Sequence, residues 1–133
     1  MQTITDQIPQ SNQLGDDLLE TLEFAHLMID SVADKKASDI LLLDLRQQGI
    51  FTDYFLLCSA NNDRQLRAIA ESVWDDAKQK ADVVGMSIEG TPASGWMLVD
   101  FGDLVVHVFM EEQRAYYDLE GLWSDSSIVV RMP

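Results

Sequence analysis

Cysteine is almost missing from this sequence. Cys58 is the single example among 133 residues, so no internal disulfide can form and a hydrophobic core must hold the fold. Its apolar setting, Tyr54-Phe-Leu-Leu-Cys-Ser59, offers no cation to activate the thiol, which predicts a packed, reduced side chain rather than a nucleophile. Histidine is nearly as scarce. His26 and His107 stand apart, with no second ligand at metal-binding spacing, which argues against a metal site. The glycine patterns that cradle phosphates are missing, as is the Gly-x-Ser-x-Gly elbow that would make Ser59 or Ser94 a nucleophile served by His107 and Asp100. No Asp-x-Asp occurs either, and the lone Asp-x-Glu, Asp118 with Glu120, falls outside any expected strand. A Mg²⁺-dependent nucleotidyltransferase needs clustered carboxylates, so that activity is disfavoured and no cofactor is expected. Apolar runs stay far below the ~20 residues of a membrane helix. The first fifteen residues show neither a secretory nor a transit pattern, so a cytoplasmic protein is expected.

Positive charge is the other deficit. Nine Lys and Arg face 23 Asp and Glu, a net charge of −14, and such a field repels nucleic-acid phosphates. The imbalance is regional: between Lys80 and Arg131 the sole basic residue is Arg114, against nine acids. A basic protein partner would be steered to that half, although an acid excess also serves solubility. What the sequence holds in plenty is apolar material, 47% of residues, enough for one domain with its own core.

Residues 1–15 are polar and contain Pro9, and read as a flexible arm. From Asp16 the spacing of Leu18, Leu22, Ala25, Ile29 and Val32 predicts a helix ending near Asp34. Asp39-Ile-Leu-Leu-Leu-Asp-Leu45 and Tyr54-Phe-Leu-Leu-Cys-Ser59 are of strand length and apolar throughout, which suits interior strands. Asn61 or Asn62 can cap a second helix with the stripe Leu66, Ile69, Ala70, Val73 and Ala77. Val83 to Glu89 reads as a weaker strand. Trp96-Met-Leu-Val-Asp-Phe101, then Gly102-Asp103, then Leu104-Val-Val-His-Val-Phe109 is a hairpin signal. In that register Met97, Val99, Val106 and Val108 share an apolar face, while Trp96 meets Phe109, Leu98 meets His107 and Asp100 meets Val105 on a mixed one. Glu111 to Tyr117 reads as a helical turn and residues 126–133 as a tail. The order describes an α/β fold, a mixed β-sheet flanked by helices, with an antiparallel hairpin at one side.

Trp96, Trp123, Tyr116 and Tyr117, all in the acidic half, are the residue types that anchor protein interfaces, though they also fill cores.

Eight short stretches in order complete the reading: Asp39 to Leu45, Thr52-Asp-Tyr-Phe55, Cys58-Ser59 with Asp63-Arg-Gln65, Glu89-Gly90, Ser94-Gly-Trp96, Asp100-Phe-Gly-Asp103, Val105-Val-His-Val-Phe109, and Tyr117-Asp-Leu-Glu120 through Leu122-Trp123. Together, over about residues 16–125, they resemble the ribosomal silencing factor, or Iojap-like, family. Ala60-Asn61-Asn62 departs from the small residues usual there. The resemblance implies a nucleotidyltransferase-like fold without catalytic acids and a bacterial non-enzyme. Such a factor binds the large ribosomal subunit through ribosomal protein uL fourteen, blocks joining of the small subunit and represses translation. The motif positions, weighed by residue chemistry, place the protein-binding surface on Trp96, Leu98, Asp100, Asp103, Tyr116, Asp118 and Trp123, with Asp53 and Tyr54 as lesser members. Asp53 and Asp100 have a second reading as turn caps. A nucleotidyltransferase-like enzyme and an acidic adaptor with a non-ribosomal partner stay open as alternatives, as does a homodimer.

Overall fold

The computed structural model describes residues 10–123 and 126–133. Its centre is a sheet with strands β1 (Ser38–Asp44), β2 (Tyr54–Ala60), β3 (Ser87–Thr91), β4 (Trp96–Asp100), β5 (Leu104–Met110) and β6 (Ser127–Met132). These lie side by side in the order β3-β4-β5-β2-β1-β6. β2 and β5 run parallel and the other neighbours antiparallel. Helices α1 (Gln10–Asp34) and α2 (Asp63–Ala81) are long; α3 (Glu111–Tyr117) and α4 (Leu119–Leu122) are short.

Strand alternation sorts the apolar residues onto two faces. Ile40, Leu42, Tyr54, Leu56, Cys58, Val99, Leu104, Val106 and Val108 point to one, where Ala25, Met28, Ile29 and Val32 of α1 and Leu66, Ile69, Ala70, Val73 and Ala77 of α2 pack on them. Leu41, Leu43, Phe55, Leu57, Val105 and Phe109 point to the opposite, outer face, joined by Trp96, Leu98, Leu119 and Trp123. Asn62 caps α2 by accepting the Gln65 amide hydrogen at 2.8 Å. The Gln65 side-chain amide in turn donates to the Lys35 and Lys36 carbonyl oxygens, fixing the start of α2 to the α1–β1 turn.

Three boundaries differ from the sequence reading. The first helix begins at Gln10 rather than Asp16, since Gly15 lowers helix propensity without breaking the helix. Residues 10–15 of the flexible arm expected at 1–15 are helical instead, and residues 1–9 lie outside the described ones. Residues 83–86 are not strand: Asp82 takes a left-handed turn, and the Val83 amide bonds the Ala77 carbonyl at 2.9 Å, still wound onto the helix end. The tail expected at 126–133 holds β6, paired with β1 from Ile40↔Met132 to Asp44↔Ser127.

The hairpin register is as read: Trp96↔Phe109, Leu98↔His107 and Asp100↔Val105. Gly102 sits at φ 90° at the first turn position, where only a residue without Cβ is at ease.

Candidate docking surface

The outer face is the functional candidate because the two long helices cover the other. A cross-strand row runs over all six strands there: Glu89, Leu98, His107, Leu57, Leu41 and Arg131 are successive partners. Beside it lies the row Trp96, Phe109 and Ser59. The short helices α3 and α4 roof part of this face, so it is half core and half surface.

Trp96 is the hub. Its indole stacks on Phe109 (centroids 4.9 Å apart, 24° between planes) and meets Tyr117 of α3 at 4.5 Å. Its Nε1–H donates to His107 Nδ1 at 3.1 Å. That bond places the imidazole proton on Nε2, which has no hydrogen-bond partner, while the ring packs edge-to-face on Phe55 at 4.5 Å. Burial pushes the His107 pKa down to about 4, so the ring is neutral near pH 7. It is a packed histidine, as the residues suggested. Trp123 closes the face over Phe55, edge-on at 6.4 Å.

Arg114, noted from sequence as the single cation of the acidic half, was given no role there. It is 7% exposed. Its guanidinium donates to the Asp39 carbonyl at 2.7 Å and Ser59 Oγ at 2.8 Å, and forks onto both Glu120 carboxylate oxygens at 3.0 and 3.1 Å. The charge is thus consumed internally, holding α3 and α4 to the sheet. No sequence pattern marks that role, because its partners are 75, 55 and 6 residues away.

The nine expected surface residues do not form one patch. Trp96, Leu98 and Trp123 share the outer face, half-buried against the same apolar cluster. Tyr116, 81% exposed, stands beside them, edge-on to Tyr117 at 5.1 Å. Asp118 is exposed on the same helical clip, where its Oδ1 accepts the Gly121 amide hydrogen at 3.0 Å and caps α4. Asp100, Asp103 and Asp53 gather instead around the hairpin turn, at the far end of β4. Four residues of extended chain separate that end from Trp96, roughly 13 Å. Asp100 Oδ1 accepts the Gly102 amide hydrogen at 2.8 Å, the turn-capping role read as its alternative. Burial, followed by repulsion from Asp103, raises the Asp53 pKa. Tyr54 is corrected. It points to the helix-covered face at 1% exposure and cannot touch a partner, because alternation along β2 sends it opposite to Phe55. Tyr117 and Glu89 belong to the surface and were not among the nine; Glu89 joins only because β3 pairs it with Leu98.

Cys58 is fully buried, and desolvation pushes its pKa to about 12, an inert thiol. No helix among the described residues is long and apolar enough to cross a membrane.

Fold and face define a class: an α/β domain whose second sheet face, only partly roofed by short helices, carries aromatic side chains among carboxylates. The model of the family described as "Ribosomal silencing factor during starvation" matches residues 19–132, and the chain belongs to that family. It is 45% identical to the ribosomal silencing factor of Bacillus subtilis over 95 residues, 71% of this chain and 80% of the relative. Among solved structures it resembles a protein of Chromobacterium violaceum, with a TM-score of 0.74 at 36% identity, covering 77% of this chain and 85% of that one. A Bacillus halodurans protein superposes with a TM-score of 0.69 at 38% identity, covering 82% and 98%. The family match reaches into β6, in keeping with that strand's place in the sheet.

Proposed function

We propose that this chain is a cytoplasmic translation repressor that works by occupying space, without chemistry. It docks through the outer face on ribosomal protein uL fourteen of the large ribosomal subunit and so keeps the small subunit from joining. One juxtaposition carries the reading: half-buried Trp96 and Trp123 and exposed Tyr116 and Tyr117 lie among carboxylates, and the one cation of that half is already bonded inside. Aromatic anchors within an acidic rim suit a basic protein and disfavour bare rRNA. Kinship with proteins named as silencing factors supports the same reading.

Co-sedimentation tests it. The chain should pellet with isolated large subunits more than with joined ribosomes, and adding it before small subunits should reduce joining on a sucrose gradient. Equal pelleting with both, or undiminished joining, would overturn the proposal. Mg²⁺-dependent nucleotide transfer by the purified chain would replace it with the enzymatic reading.

A further inference from the structure

Between β3, β4 and α3 lies a slot of about 330 Å³, lined by Glu89, Gly90, Ser94, Trp96, Leu98 and Tyr117. Leu98 and the Gly90 backbone make its floor. At φ 87°, a Cβ on Gly90 would come within 2.2 Å of the Trp96 carbonyl oxygen, so β3 lies this close to β4 only with glycine there. The Trp96 and Tyr117 rings, 4.5 Å apart and tilted by 45°, form one wall. Glu89 stands at the exposed rim, steadied by a 3.1 Å hydrogen bond from Ser87 Oγ.

Resting on the docking function above, we propose that this slot receives one arginine side chain of the docked protein. The guanidinium would lie against the aromatic wall, with its N–H groups on the Glu89 carboxylate and its methylenes over Leu98. Aromatic faces attract a cation, and a planar guanidinium stacks and forks onto a carboxylate at once, which a lysine ammonium cannot do. No Lys or Arg lines the slot, so the charge must come from the docked protein. Between Lys80 and Arg131 the chain has no basic residue but Arg114, whose guanidinium is spent on Asp39, Ser59 and Glu120.

Two measurements test the slot. In the first, the full chain is titrated with acetyl-Gly-Arg-Gly-amide while the Trp96 indole and Gly90 amide resonances are followed by NMR. Both should shift saturably, several-fold less with the lysine tripeptide and not at all with the citrulline one; equal shifts with citrulline, or none with arginine at millimolar concentration, would overturn the assignment. In the second, Glu89→Gln, a surface change that leaves the core alone, should weaken pelleting with large subunits at least fivefold. Unchanged pelleting of this variant beside a wild-type chain that pellets would refute the slot and leave the docking function standing. Failure of the wild-type chain to pellet would refute the docking function, and with it the slot's role there.

Discussion

Trp96 serves two neighbours in different ways: its ring packs on Phe109 and Tyr117, and its N–H satisfies a buried imidazole. Trp96→Phe keeps most of the packing and removes the donor. It should lower stability by about 1 kcal/mol and raise the His107 pKa, because the lost bond favoured an unprotonated Nδ1. Urea unfolding and an NMR titration of the ring check both; an unmoved His107 titration would show that the bond does not matter. His107 itself sets a pH window. The unfolded chain takes up its proton near the ordinary imidazole value of 6.5, while the folded chain resists until about 4. Stability is therefore whole above pH 6.5 and falls as pH drops through that interval, by on the order of 3 kcal/mol in all. His107→Asn should flatten the slope of unfolding free energy in that window. Asp53, with its raised pKa, works in the opposite sense.

At the scale of elements, α3 and α4 have seven and four residues, too short to persist without tertiary support. Arg114 supplies it. Arg114→Met should cost about 2 kcal/mol by removing charged hydrogen bonds, and should loosen the clip that carries Tyr116, Tyr117 and Asp118. A drop in near-UV circular dichroism beyond the stability loss reports that loosening, and an unchanged urea midpoint would refute the anchor. Element identity was largely legible: the 3.6-residue stripes of α1 and α2, the doubly apolar runs of β1 and β2, and the Gly-Asp hairpin each follow from local patterning. β6 was not. Its Ile128-Val-Val130 run is short and lies beyond the stretches that carry the family resemblance, so it reads as a tail; in the sheet Ile128 and Val129 stay 53% and 41% exposed. The clue lay in β1, where Ile40 to Leu43 are apolar without a break; a strand buried on both faces needs a neighbour at each edge.

For the molecule as a whole, a net charge of −14 acts at long range. Raising salt from ~50 to ~500 mM should slow association with a basic partner roughly tenfold while dissociation changes little, since screening weakens steering more than close contact. Stopped-flow fluorescence would show it, and a salt-independent association rate would contradict the charge argument. The candidate surface was legible in part. Trp96, Leu98 and Trp123 were reachable from hairpin register and residue type. The burial of Tyr54 was not, because β2 is apolar on both faces and only helix packing decides which one is covered; nor was the membership of Glu89, which depends on β3 pairing with β4.

The sequence by itself determined the charge, the main elements and the hairpin register, since these depend on composition or on residues close along the chain. Only the tertiary structure decided which face the long helices cover, which aromatics stay at the surface and where Arg114 spends its charge. Those follow from pairing strands far apart in sequence, such as β2 with β5 and β1 with β6, where no local pattern records the partner.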